Sequence, residues 1–136
     1  MSELSSSYSP AFQGDAFNSL CPTRLILNQI ADKWTVLTLG ALDAGPVRFN
    51  ALKRHLQGIS QKVLGQTLKE LERNGLVNRR AFATVPVTVE YSLTPLGMDL
   101  TESVNALRLW AETNICQMLE AQRRFDAKKE AQVANS

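Results

Sequence analysis

Four polar side chains recur at helical spacing in the middle of the sequence: Lys62, Gln66, Lys69 and Arg73. Intervals of four, three and four residues place them along one side of a helix, and we call this set the basic ridge. In the major groove of duplex DNA, lysine can donate to guanine and glutamine can pair with adenine, while further cations meet phosphates. The ridge is therefore either a surface that reads base pairs or the solvated face of an ordinary surface helix.

The helix that must carry the ridge has clear limits in the sequence. Ser60 is a favourable N-cap residue, and Gly75 is a typical residue for ending a helix. The side opposite the ridge is formed by Val63, Leu64, Thr67, Leu68 and Leu71. Gln61 and Lys62 fall in the first turn, the part of a recognition helix that usually reaches base edges. The free N–H groups behind Ser60 suit a phosphate.

The neighbouring elements favour the DNA-reading interpretation of this helix. A one-sided apolar stripe precedes it on a short helix that Gly58 ends, and its members are Phe49, Leu52 and Leu56. Two short helices around a tight turn are the outline of a helix-turn-helix. Residues 76–82 and 87–93 are rich in β-forming side chains and predict a hairpin directly after the second helix. In this setting the hairpin would be a wing beside the DNA.

Positive charge is concentrated in the same part of the chain. Between residues 46 and 80, eight basic residues stand against two acidic ones, although the whole chain has a formal net charge of only +2. A local cationic segment of this kind is the electrostatic footprint expected of a protein that binds a polyanion. Besides the ridge, Ser60 and Gln61, the candidate DNA contacts are Arg48, Arg79, Arg80 and Thr88.

The two cysteines, Cys21 and Cys116, are too few for a disulfide scaffold and too far apart for paired metal ligands. Both are predicted to be thiols in a reducing compartment. Cys21 precedes Pro22 at a predicted helix N-terminus with Arg24 nearby, where the helix dipole and a cation would stabilise a thiolate. Cys21 is therefore either a reactive sensor or a packed small hydrophobe. Cys116 is predicted to pack in the core or in a dimer interface.

From Thr94 and Pro95 onward the pattern predicts a long amphipathic helix, for which both a continuous course and a break near Asn114 are open. Its apolar side is formed by Leu96, Leu100, Val104, Leu107, Trp110, Ile115, Met118 and Leu119. A small helical core with a hairpin leaves most of this side uncovered, and a second copy is the simplest cover. We therefore expect a homodimer whose recognition helices, about 34 Å apart, read the half-sites of an approximately palindromic operator.

These elements predict one domain of mainly α class with a small β-hairpin (α+β), a winged helix-turn-helix with a long C-terminal dimerisation helix. We divide the chain into a flexible N-terminal arm over residues 1–20, a DNA-binding and dimerisation domain over 21–122, and a charged tail over 123–136 that is expected to fray. No apolar run approaches the roughly 18 residues of a membrane span, and no leader pattern opens the chain. We expect a cytoplasmic protein.

An enzyme is disfavoured by the same sequence. One histidine, two distant thiols and no glycine-rich phosphate loop leave little from which to assemble a catalytic, metal or cofactor site. A different class remains open, a winged-helix module that binds other proteins through the same fold. Salt-sensitive retention on heparin or random DNA distinguishes the two, because several phosphate contacts demand a steep salt dependence.

Taken in order, the motifs resemble those of the HxlR family of winged helix-turn-helix regulators over residues 21–110. They are Cys21-Pro22, Lys33-Trp34, Arg48-Phe49, Ile59-Ser60, Leu71-Glu72 with Gly75-Leu76, and Val89-Glu90-Tyr91 with Leu93-Thr94 and Gly97. The resemblance implies a homodimer joined largely through terminal helices, with recognition by the helix that begins near Ser60. It also implies a response to quinones, aldehydes or oxidants through Cys21, as in several such regulators.

The chain departs from the family pattern at two places near these motifs. The family often has Gly-Gly where this chain has Ala31-Asp32, and commonly proline and a basic residue where it has Val87-Thr88. The second departure removes a cation from the predicted wing. Candidate backbone contacts there are then Thr84 and Thr88, together with Arg79 and Arg80 at the base of the hairpin.

Overall fold

A computed structural model describes residues 13–135. Most of the arm predicted over residues 1–20 lies outside the described residues. In its described part, residues 16–17 and 19–20 form turns ahead of the first helix. The backbone N–H of Cys21 donates to the carbonyl of Asn18 at 3.1 Å, which joins these turns to the start of the helix.

Within residues 13–135, five helices and three short strands follow these turns. They are α1 (Pro22–Ile30), α2 (Lys33–Leu42), β1 (Val47–Arg48), α3 (Phe49–His55), α4 (Gln61–Arg73), β2 (Val77–Phe82), β3 (Thr88–Leu93) and α5 (Pro95–Ala134). The strands form one antiparallel sheet in the order β1-β3-β2. The predicted class, mainly α with a small β-hairpin in a winged helix-turn-helix, is confirmed. The sequence did not reveal β1, because two residues are too few to show an alternating pattern.

Local signals explain where the two helices of the helix-turn-helix begin and end. Gly58 has φ +91° and Gly75 has φ +75°, a left-handed conformation that glycine adopts without strain. Between them, the Ser60 hydroxyl accepts a hydrogen bond from the N–H of Val63 at 3.1 Å and caps the start of α4. The helix is therefore held at both ends by the residues that the sequence indicates.

The core lies between α2, α4 and the inner face of the sheet. Its most deeply buried apolar side chains are Leu39, Leu42, Leu52, Leu64 and Leu68. Leu64, Leu68 and Leu71 supply the contribution of α4, and they occupy the side opposite the basic ridge. Removing one buried leucine from such a core typically costs about 2–5 kcal/mol, so this packing fixes how α4 is rotated about its axis.

The long helix differs from the expectation at one point. The fraying predicted for the tail over 123–136 was wrong, and of the two courses open at Asn114 the continuous one is found, because α5 is continuous from Pro95 to Ala134. The amide of Asn114 donates to the carbonyl of Trp110 at 2.8 Å within the helix. Ion pairs between residues three or four apart, Arg108 with Glu112 and Arg123 with Glu120, lie on the solvated part of this helix and modestly favour its helical backbone.

One of the two locations predicted for Cys116, the core, is wrong. It lies on α5 with an exposed side chain, so packing in the core of a single chain is excluded. The other expectation, packing between two copies, stays a prediction.

Candidate nucleic-acid interface

The basic ridge lies on the outer face of α4. Lys62, Gln66, Lys69 and Arg73 are all exposed. Within residues 13–135, the side chains of the first three make no hydrogen bond to protein and no ion pair. The guanidinium of Arg73 lies 3.7 Å from Oε1 of Glu70, and the two side chains are 75% and 41% exposed. Such a pair contributes little, about 0–1 kcal/mol, so Arg73 can exchange this partner for a phosphate.

The first turn of α4 presents backbone donors as well as side chains. The N–H groups of Val63 and Leu64 donate to the side chain and the carbonyl of Ser60. The N–H groups of Gln61 and Lys62 come earlier in the turn and have no partner inside the helix. The hydroxyl of Ser60 is occupied as a cap. The exposed side chains of this turn that remain for a ligand are those of Gln61 and Lys62.

Arg79 and Arg80, which the sequence presents as one basic pair, lie on opposite faces of the sheet. The register pairs Arg79 with Tyr91 and Arg80 with Glu90. Since Tyr91 is buried and successive side chains on a strand alternate, Arg79 projects on the side of the core and Arg80 on the outer side. The two guanidinium groups therefore start from opposite faces of the sheet, and they cannot form a single paired contact with one phosphate.

The outer face of the sheet carries a row of three charges. Arg48, Glu90 and Arg80 are opposite one another across β1, β3 and β2. Directly opposite side chains have Cβ atoms about 4.5–5.5 Å apart, yet within residues 13–135 the carboxylate of Glu90 forms no ion pair with either arginine. The guanidinium of Arg80 lies over the ring of Phe82, 4.8 Å from its centroid.

A cleft of about 540 Å³ separates α3 from the wing. Two of its lining residues, Asn50 and Arg54, are not among the DNA contacts predicted from the sequence. Arg48 and Thr88 line it together with Asn50 and Arg54. The basic character of the α3 segment was a signal for Arg54, whereas nothing in the sequence pattern singles out Asn50. The hydroxyl of Thr88 lies 3.4 Å from that of Thr84, which itself donates to the carbonyl of Pro86 at 2.7 Å.

Cys21 lies at the N-cap position of α1 and is half-buried. Hydrogen bonds lower the pKa of its thiol from the ordinary value: first the N–H of Asp15, then the hydroxyl and the N–H of Thr23. Partial desolvation and the carboxylate of Asp15 oppose this shift. The distances from Sγ are 3.4 Å to the N–H nitrogen of Asp15 and 3.3 Å to the hydroxyl of Thr23.

Arg24 does not supply the cation expected beside this thiol. Its guanidinium donates to the carbonyls of Ala16 and Phe17, both at 3.0 Å, and thereby holds the preceding turns against α1. The acidifying groups are thus neutral hydrogen-bond donors rather than a nearby positive charge.

Residues 13–135 contain no group of three or more histidine, cysteine, aspartate or glutamate side chains placed to hold a metal ion. None of their helices is both long enough and apolar enough to cross a membrane. The exposed groups of the basic ridge are ammonium, amide and guanidinium donors, which suit a polyanion.

A helix-turn-helix followed by a two-stranded wing and a long helix defines a winged helix-turn-helix protein. The chain belongs to the HxlR-like helix-turn-helix family, whose model matches residues 29–127. It is therefore a transcriptional regulator of helix-turn-helix type rather than an enzyme.

Individual relatives agree with this family. The uncharacterized HTH-type transcriptional regulator YtfH of Escherichia coli (strain K12) is 45% identical over 107 residues, which cover 79% of this chain and 85% of YtfH. The solved structure of ytfH from Salmonella typhimurium has a TM-score of 0.78 and 45% identity, covering 82% of this chain and 99% of that one. The redox regulator HypR in its reduced form has a TM-score of 0.65 and 36% identity, covering 74% and 98%.

Proposed function

We propose that this protein is a homodimeric, sequence-specific DNA-binding regulator that acts in the cytoplasm on an approximately palindromic operator. The observation that carries the proposal is the basic ridge: three of its four side chains are exposed without a partner in the described chain, on the helix that follows the turn of the helix-turn-helix. The fixed rotation of α4 presents these donors outward before any DNA is bound, so binding orders the long side chains but needs no rearrangement of the helix.

Within this proposal the contacts divide into two groups. Lys62 and Gln66, together with Gln61, read base edges from the first two turns of α4. The phosphate contacts come from the free N–H groups behind Ser60 and from Lys69, Arg73, Arg48, Arg79, Arg80 and Thr88. The second group sets register and affinity and carries no sequence information by itself.

The proposed dimer is supported by apolar surface that a single chain leaves uncovered. None of the residues of α1 is buried, and Leu25 is 61% exposed. On α5 the buried residues are Gly97, Thr101 and Val104, whereas Leu107, Trp110 and Met118 are 59%, 56% and 43% exposed. Helix α5 spans about 60 Å, so it offers a long face for a second copy.

A response to electrophiles or oxidants through Cys21 is the third part of the proposal. The lowered pKa increases the fraction of reactive thiolate near neutral pH. The likeness to HypR, a redox regulator, supports this part. Because Cys21 begins α1, a modification there would disturb a helix that belongs to the proposed dimer surface.

The experiment is selection of bound fragments from a random DNA pool, followed by affinity measurements on the enriched duplex and on a random duplex at several salt concentrations. We expect enrichment of an inverted repeat, a specific affinity that exceeds the random affinity by about 10³-fold or more, and a steep salt dependence for both. No enrichment together with a flat salt dependence contradicts the proposal and favours the protein-interaction module.

A further inference from the structure

The segment that links the end of α4 to the sheet is tied to α5 by several contacts at one place. The hydroxyl of Thr94 donates to the carbonyl of Gly75 at 2.7 Å. The N–H of Thr94 donates to the carbonyl of Leu76 at 3.1 Å. Gly97 lies so close that a Cβ atom there would collide with the Leu76 carbonyl oxygen. The segment just beyond the recognition helix and the first turn of the long helix therefore form one junction.

Thr94 has a double role in this junction. While its hydroxyl hydrogen is donated to Gly75, its oxygen accepts from the N–H of Gly97 at 3.0 Å and caps α5. The hydroxyl thus satisfies an orphan donor of one helix and an acceptor just beyond the end of another. A residue that only capped α5 would need no donor.

A second, weaker tie reaches the same place from α1. The amide of Asn74, the C-cap residue of α4, donates to the side chain of Gln29 at 3.1 Å. The end of α4 is consequently held between α1 and α5, the two helices with the largest uncovered apolar surface.

We propose that Thr94 is a positioning residue for DNA recognition: its hydroxyl ties Gly75, just beyond the end of α4, to the first turn of α5, so that the position of α5 adds to core packing in setting the orientation of the recognition helix. This inference rests on the proposed function of α4 and of the dimer. In a dimer joined through α5, the junction transmits the geometry of the interface directly to the two DNA-reading helices. The preference of the dimer for one spacing between half-sites then depends on Thr94.

Three substitutions separate the two roles of the hydroxyl in the full-length protein. Thr94→Ser keeps both hydrogen bonds. Thr94→Asp keeps an oxygen that caps α5 but has no hydrogen to donate to Gly75, and Thr94→Val loses both. Capping stability is read from the thermal unfolding midpoint, and positioning is read from DNA binding. If Thr94→Val fails to fold, the test rests on Thr94→Asp, which still caps α5.

The DNA probes are the duplex enriched from the random pool, the same duplex with one base pair added or removed between its half-sites, and a random duplex. One base pair moves a half-site by about 3.4 Å and turns it by about 35°. The wild-type protein and Thr94→Ser should discriminate against the altered spacings by about tenfold. Thr94→Asp should bind the three spacings within about twofold of one another, and its affinity for the random duplex should fall by a modest factor, because the added carboxylate weakens binding to every duplex through charge alone.

The possible failures are distinguishable. If the wild-type protein does not enrich any duplex, the proposed function fails and the inference falls with it. If the wild-type protein discriminates and Thr94→Asp discriminates equally well, only the inference is overturned. An equal loss of affinity by Thr94→Asp on all four probes also overturns it, since the added charge or a purely structural role gives that pattern.

Discussion

Arg80 lies directly opposite Glu90 in the sheet, yet its guanidinium group rests over the ring of Phe82, 4.8 Å from the centroid. A cation on an exposed aromatic face is stabilised by about 0.5–1 kcal/mol and keeps its full charge. The stack therefore restricts Arg80 along the strand without neutralising it.

Arg80→Ala should weaken binding to every duplex by a similar factor and reduce the slope of log affinity against log salt by about 1. The physical reason is the loss of one phosphate contact that carries no base information. Fluorescence anisotropy on the enriched and random duplexes at four salt concentrations measures both quantities. Arg124→Ala is the matched control, because it removes an exposed cation from the far part of α5. A loss confined to the enriched duplex contradicts the assignment.

Substitution of the uncovered face of α5 should produce monomers. At 100° per residue, Leu107 and Met118 lie on one side of α5 and Leu109 lies on the opposite side. Leu107→Glu with Met118→Glu should halve the mass seen by sedimentation and reduce affinity for the enriched duplex by about 100-fold, because the two half-sites are no longer linked. Leu109→Glu should leave both unchanged. If the double variant remains dimeric, the interface lies elsewhere.

The reactivity of Cys21 should reflect its hydrogen bonds. In a Cys116→Ser background, the rate of iodoacetamide alkylation against pH should give a midpoint below that of the unfolded chain, and Thr23→Val should raise it because a donor to the thiolate is lost. The lowered pKa also stabilises the folded state as pH rises through the folded value toward the unfolded one, and that contribution is lost as pH falls. A midpoint that Thr23→Val leaves unmoved would show that Thr23 does not acidify the thiol.

Cys21→Ser should leave affinity for the enriched duplex unchanged in reducing buffer and abolish any change of affinity caused by a quinone or an aldehyde. The reason is that the thiolate is the reactive species, while the serine hydroxyl occupies nearly the same space. Parallel titrations with and without the electrophile measure the effect. An undiminished response in Cys21→Ser excludes Cys21 as the sensor.

Sequence reasoning was most accurate where a local rule determines the backbone. Ser60 and Gly75 define the limits of α4, because a hydroxyl cap and a left-handed glycine act within a few residues. The β-forming side chains concentrated over residues 76–82 and 87–93 likewise located the hairpin to within one residue at each strand. The basic ridge was predictable for the same reason, since helical spacing and a leucine-rich opposite side determine which residues face outward.

The features that sequence reasoning did not predict depend on strand register and on packing between elements, which the order of residue types does not specify. The separation of Arg79 from Arg80 follows from strand register, and the cleft that joins Arg48 to Asn50 follows from the packing of α3 against the wing. The continuity of α5 was missed because polarity in its last turns was interpreted as fraying. Ion pairs along the helix and the absence of glycine or proline after Gly97 permit a solvated helix instead.

The most direct test of the central claim is the affinity of Lys62→Ala with Gln66→Ala for the enriched and the random duplex, measured beside Gln57→Ala as an exposed control. Each substitution should cost about 1–3 kcal/mol on the enriched duplex, and binding to the random duplex should weaken far less. If the double variant still distinguishes the enriched duplex from the random one as well as the wild-type protein does, the basic ridge does not read the operator.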